Sequence, residues 1–227
     1  MSAPDYGKTF ALWREGASGA WDGYTRHAFV DGLRDGTLPR TAFLHYLIQD
    51  YVFLVHFSRA WSLAVVKSET QSEMKICAGT VNALVNHEML LHVKTCAAEG
   101  IDEEMLFNAA EAVENLAYTR YVLDAGMQGD FLDMMAALSP CVMGYGEIGL
   151  RLAHEKASDT PYSEWIATYA DPEYQAVCAN VGEMIDGAVA RRVGDLACSP
   201  RAAVLQNRFT MATTLEIGFW QMGLNGA

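Results

Sequence analysis

The stretch Ala42-Phe43-Leu44-His45-Tyr46-Leu47-Ile48-Gln49-Asp50-Tyr51-Val52-Phe53-Leu54-Val55-His56-Phe57-Ser58 carries one formally charged side chain, Asp50, and neither glycine nor proline. A segment so long and apolar nearly all round reads as a helix buried on every side, which requires other helices to cover it. The rest of the chain supplies them. No convincing run of alternating strand residues occurs, and Pro39, Pro140, Pro161, Pro172 and Pro200 sit at plausible helix starts. With the turn signals at Gly36, Gly100, Gly129 and Ser158-Asp159-Thr160, they predict helices over roughly 5–18, 20–34, 39–67, 70–98, 102–125, 129–138, 140–157, 161–169, 172–197 and 200–223. The expectation is an all-α helical bundle, a single domain spanning 1–227.

Composition narrows the function classes. The 227 residues include 28 acidic against 16 basic side chains, a net charge of −12. That balance argues against nucleic acid as a partner, because phosphate binding needs a basic patch, and against anionic membrane surfaces. Residues 1–10 show no apolar leader segment, and no apolar run reaches membrane-spanning length. Cys77, Cys96, Cys141, Cys178 and Cys198 are odd in number, widely spaced and free of any CxxC pair. This fits reduced thiols in a cytoplasmic protein better than a disulfide framework or a zinc site.

Three polar residues stand out on apolar helices. Ser139-Pro140-Cys141 reads as a helix start, with serine as the N-cap and proline in the first helical position. Cys141 would then sit in the first turn, where the helix dipole eases thiol ionisation. A buried structural cysteine is the plainer alternative. Asp50 projects from a face carrying Tyr46, Phe53, Leu54 and Phe57, so it needs either a partner, such as an arginine, or a function. Glu216 is the one charge between Phe209 and Ala227. Desolvation there raises a carboxyl towards neutral pH and suits it to proton transfer, with a buried ion pair as the alternative. Inward-facing polar groups in a bundle converge on a site. A cysteine, an aspartate and a glutamate among tyrosines describe a pocket for a flat heterocycle, with a nucleophile.

Metal chemistry fits less well. In His87-Glu88-Met89-Leu90-Leu91-His92 the histidines are five apart, one more than a zinc-binding HExxH helix needs. Glu88 and His92 are four apart, whereas a ferritin-like di-iron bundle needs Glu-x-x-His from two helices. No metal and no cofactor are expected. No GxGxxG, P-loop or GxSxG pattern occurs.

Several segments together resemble the TenA family, also called thiaminase II or aminopyrimidine aminohydrolase. They are Phe43-Leu44-His45-Tyr46-Leu47-Ile48-Gln49-Asp50-Tyr51, Asn86 through His92, Tyr118-Thr119-Arg120-Tyr121, Ser139-Pro140-Cys141 through Gly149, Tyr162 through Tyr169, and Glu216-Ile217-Gly218-Phe219-Trp220. The resemblance runs from the first helix to Met222. It implies a haem-oxygenase-like helical fold without haem, assembled as a homotetramer. It also implies hydrolytic loss of the amine from 4-amino-5-aminomethyl-2-methylpyrimidine, or of the thiazole from thiamin, giving hydroxymethylpyrimidine for thiamin salvage.

Carried onto this chain, Cys141 is the nucleophile that adds to the pyrimidine ring. Glu216 bonds the aminopyrimidine edge and passes protons, helping the amine leave. Asp50 holds ring nitrogens or the 4-amino group, Tyr145 and Tyr169 hydrogen-bond the substrate, and Tyr118 and Phe53 line the ring's faces. Several members have tyrosine where this chain has Phe53, with a hydroxyl that assists the cysteine. Here thiol activation would rest on the helix start and another donor. Two alternatives stay open: a non-catalytic pyrimidine-binding or regulatory protein, and a metal-dependent oxidase on the same fold.

Overall fold

The computed structural model describes residues 3–226, and among them there are helices and no strands. The stretch from Arg40 to Lys67 forms one helix, α4, of 28 residues. Around it lie α1 (Lys8–Gly16), α2 (Ser18–Thr25), α3 (Ala28–Asp35), α5 (Gln71–Ala83), α6 (Met89–Ala97), α7 (Glu103–Phe107), α8 (Val113–Gln128), α9 (Phe131–Glu155), α10 (Ser163–Ala170), α11 (Pro172–Arg192) and α12 (Arg201–Asn225). Helix α4 packs against α5, α8, α12 and α6, and α12 packs against α9, α8 and α2. Trp61, Trp220, Tyr24, Tyr46 and Tyr118 are fully buried between these helices. Each such side chain contributes about 1.5–3 kcal/mol through the apolar area removed from water. No helix is long and apolar enough to cross a membrane among the described residues.

Local chemistry sets the ends. Thr70 and Glu73 form a reciprocal capping box at the start of α5, and Asp130 and Asp133 do the same for α9. Pro172 occupies the first turn of α11 behind the Asp171 cap, as its missing N–H allows. That helix stops at Arg192, five residues short of the expected end, because Gly194 takes φ +78° and turns the chain.

Four further expected boundaries fail for identifiable reasons. The segment 20–34 splits because His27 caps a new helix, its Nδ1 accepting from the Phe29 N–H at 3.2 Å. The segment 102–125 is two helices separated by 108–112, where Gln49 takes over the backbone groups. Its amide donates to the Ala110 carbonyl and its oxygen accepts from the Ala112 N–H, each at 2.9 Å. The segment 70–98 is interrupted by a π turn at Leu84–Glu88.

The fourth failure matters most. Ser139-Pro140 does not start a helix, because Pro140 lies inside α9. The Asp130/Asp133 box has already begun that helix, and residues from Phe131 to Pro140 are buried throughout. Proline in a helix interior costs about 3 kcal/mol through its missing N–H and steric clash. Burial of the surrounding apolar side chains offsets it. Cys141 therefore sits mid-helix, with no free N–H groups or dipole end beside it.

Candidate active site

Helices α4, α5, α9, α10, α11 and the π turn enclose a cavity of about 710 Å³. This is within the range of about 300–1,000 Å³ usual for small-molecule sites. Close approaches between helices form its walls. A Cβ on Gly144 would come within 2.2 Å of the Tyr24 ring, and one on Gly149 within 2.5 Å of the Tyr169 backbone. Glycine at 149 lets α9 approach α10 so that the Tyr145 and Tyr169 rings meet at 4.8 Å, while glycine at 144 makes room for Tyr24 of α2.

Asp50, Phe53, Cys141, Tyr145 and Tyr169 all line this cavity. Five of the seven residues marked in the sequence thus meet on one surface. Tyr118 and Glu216 are not on the cavity wall but support it. The Tyr118 hydroxyl donates to Glu216 Oε1 at 2.7 Å, its ring lies 5.0 Å from that of Phe53, and Glu216 and the Cys141 thiol are close enough to act on each other electrostatically. Glu216 has no cationic partner within ion-pair distance among the described residues, so it is not the buried ion pair that its isolation also allowed. Burial pushes its carboxyl up to about 8, and the charge of Asp50 adds to this, while the bond from Tyr118 and the Cys141 thiol work in the opposite direction.

Cys141 differs from expectation in its electrostatics as well as its place. Burial pushes its thiol well above the usual value, and the charges of Glu216, Glu88 and Asp50 push it further. The helix start that was to depress it does not exist. A thiol held so firmly neutral reacts only as its proton is taken, and Glu216 is the carboxyl whose charge acts on it most strongly.

Asp50 has a partner, but a histidine in place of the expected arginine. His92 Nε2 lies 2.6 Å from Asp50 Oδ2, and His92 Nδ1 lies 2.9 Å from the Glu88 carbonyl oxygen. The carbonyl can only accept, so Nδ1 carries a proton. Burial alone would lower the imidazole pKa, but the bond and charge of Asp50, with Glu88, raise it overall. The raised imidazole favours its charged form, which donates from Nε2 to Asp50. Tyr46 also donates to Asp50 Oδ2, at 3.1 Å, while the Trp165 N–H donates to the Tyr46 oxygen at 3.3 Å. Asp50 is thus held from both sides on one oxygen.

Sequence reasoning missed His92, Tyr46, Trp165 and Glu88 as parts of the site. The Glu88/His92 spacing is visible in the sequence, but there it bears only on a metal pattern that it does not satisfy. Among the described residues no group of three or more His, Cys, Asp or Glu side chains is arranged to hold a metal ion. The wall carries Asp50, Glu88, Glu164, Asp171 and Glu173 but no lysine or arginine. With His87 as its one basic side chain, it suits a neutral or cationic heterocycle better than an anion.

A sequence profile of the TENA/THI-4/PQQC family matches residues 15–226. The chain belongs to that family. A relative named aminopyrimidine aminohydrolase, from Halalkalibacterium halodurans, is 34% identical over 213 residues, covering 93% of each chain. A crystal structure of a protein described as a TenA family transcription regulator, from a Silicibacter species, is 61% identical with a TM-score of 0.94, covering 96% of this chain and 97% of that one. A domain of unknown function from Shewanella denitrificans, described as having a heme oxygenase-like fold, superposes with a TM-score of 0.70 at 14% identity, covering 99% of this chain and 94% of that one. The TENA/THI-4/PQQC chain thus has the haem-oxygenase-like all-α architecture that its sequence implied.

Proposed function

We propose that this protein is an aminopyrimidine aminohydrolase of the thiaminase II type. It hydrolyses the aminomethyl arm of a thiamin-derived aminopyrimidine, or the corresponding thiazolium arm of thiamin, and gives the hydroxymethylpyrimidine. The observation that carries the reading is Cys141 on the wall of a cavity that also presents Asp50, with Glu216 the carboxyl whose charge acts on it most strongly. Glu216 takes the thiol proton as the sulfur adds to the electron-poor ring, and returns it when the sulfur leaves. Asp50, held in place by His92 and Tyr46, accepts from the 4-amino group or a protonated ring nitrogen. Tyr145 and Phe53 flank the ring, and Tyr169 lies on the same wall. The relative from Halalkalibacterium halodurans carries the same activity in its name. The chemistry needs no metal, and the protein is assigned to the cytoplasm as a homotetramer.

The description of the Silicibacter protein as a transcription regulator raises a second reading, a non-catalytic pyrimidine sensor. A net charge of −12 disfavours direct contact with DNA. Incubation with the aminomethylpyrimidine separates the two readings. Ammonia release that Cys141→Ala abolishes supports the hydrolase. Tight pyrimidine binding without turnover at any pH refutes it and supports the sensor.

A further inference from the structure

Glu88 has no task in the hydrolysis described so far, yet it is the last residue of the π turn and lines the cavity. An uninterrupted helix over 70–98 would give it a different direction. The π turn inserts one residue and rotates the helix beyond it, a feature common at functional sites. The Tyr169 hydroxyl donates to Glu88 Oε1 at 3.0 Å. The groups that act on Glu88 electrostatically come from every neighbouring element: Asp50 and Tyr46 on α4, His92 on α6, Cys141 on α9, Tyr169 on α10 and Tyr174 on α11. Of these only His92 is a base that can carry positive charge, and its Nε2 is committed to Asp50. Burial, and then the charge of Asp50, push the Glu88 carboxyl up to about 7, against the smaller opposing effects of His92 and Tyr169. Glu88 therefore exists in both protonation states at neutral pH, facing the space where substrate binds.

An amine leaves carbon readily only when it takes a proton with it. Glu216 lies off the cavity wall and already exchanges its proton with the thiol. We propose that Glu88 is a second catalytic carboxyl, the acid that protonates the departing amine and the base that then receives the proton of the incoming water. This rests on the aminopyrimidine hydrolase reading. With Cys141 Sγ bonded to the ring, the electron pair brought in by sulfur forms an exocyclic C=C bond. The arm's C–N bond breaks, and nitrogen leaves with its electron pair and the Glu88 proton as ammonia. Water then adds its oxygen to the exocyclic carbon and gives a proton to Glu88. The C=C pair returns to the ring, the C–S bond breaks with its electrons on sulfur, and Glu216 returns the thiol proton. Both carboxyls end as they began.

The test is Glu88→Gln, with Glu88→Asp as the conservative partner and circular dichroism as the check on folding. Glutamine cannot give up a proton, so the variant should release ammonia at least ~100-fold more slowly, a usual contribution for positioned acid catalysis. A pyrimidine with a pyridinium or thiazolium arm needs no proton on its leaving group. Its heterocycle should appear in a single turnover within about threefold of the parent rate, and Glu88→Asp should recover part of the ammonia release. Unchanged ammonia release, or equal loss for both leaving groups, overturns the assignment. If the parent does not accept the cationic arm, the pH profile decides. The parent's kcat for the amine should show an alkaline limb as Glu88 ionises, and Glu88→Gln should lack that limb. A limb that persists overturns the proposal. Failure of the underlying reading looks different: a parent that releases no ammonia removes both, and an active Cys141→Ala removes the nucleophile but leaves the Glu88 comparison intact.

Discussion

Tyr118→Phe removes one oxygen atom from behind the catalytic thiol, and its effect can be worked from the structure. The hydroxyl donates to Glu216 Oε1 at 2.7 Å, and this bond is the largest influence holding the Glu216 carboxyl down against burial. A hydrogen bond to a charged group is worth about 1.5–3 kcal/mol, which at 1.36 kcal/mol per unit is roughly one to two pKa units. Glu216 must be ionised to take the thiol proton. For a thiazolium-armed pyrimidine, whose leaving group needs no proton from Glu88, kcat/KM in the parent should therefore rise with pH through a midpoint near 8. In Tyr118→Phe the midpoint should move up by about one to two units, so activity at pH 7 falls about 10- to 100-fold and recovers as pH rises. Thiazole release across a pH series measures this, and the rate of Cys141 alkylation by iodoacetamide tracks the same base without needing substrate. The ring contact with Phe53 survives the substitution, which keeps packing loss small. A limb that stays in place, or moves to lower pH, would refute the claim that Glu216 is the base for Cys141.

The same carboxyl makes a stability prediction of opposite sign. Its folded pKa of about 8 lies above the ordinary 4.5, so the native state loses stability as pH rises between those values. Glu216→Gln has no such loss, and its stability advantage should grow by up to about 3 kcal/mol between pH 5 and pH 7, read from urea midpoints. His92→Gln leaves Asp50 without its imidazolium partner. Affinity for hydroxymethylpyrimidine by calorimetry should fall about 10- to 100-fold, the value of a charged hydrogen bond, with a smaller change in kcat. An affinity equal to that of the parent would mean that Asp50 does not hold the ring. Glu73, gripped by Arg192 and Arg191, and Asp133, gripped by Arg201 and Arg208, are each held down at about 2. Their folded pKa values lie below the unfolded ones, so the stability they provide is complete above about pH 4.5 and is lost towards pH 2. Glu73→Gln should flatten that acid-side slope in pH-dependent denaturation.

The range of the forces involved decides which features the sequence could reveal. Burial of α4 was legible because seventeen residues with one charge cannot face water in any register. The lone charges at Asp50 and Glu216 were legible for the same reason, since an unpaired carboxyl in an apolar helix is costly wherever its partner lies. Their partners were not legible. Asp50 and His92 are 42 positions apart, and Tyr118 and Glu216 are 98 apart, so only the packing of α4 against α6 and of α8 against α12 reveals them. Pro140 misled because its local preference for a first turn is real but small beside the burial of the whole of α9. Placing it mid-helix reverses the logic of the thiol. A terminal cysteine would be a standing thiolate, most reactive without substrate and open to oxidation. A mid-helix cysteine surrounded by Glu216, Glu88 and Asp50 is a neutral thiol until a base is free to take its proton. The departure at Phe53 then weighs less than the sequence suggested. The thiol does not depend on a helix end to compensate for a missing hydroxyl, because Glu216, set by Tyr118, is the carboxyl whose charge acts on it most strongly.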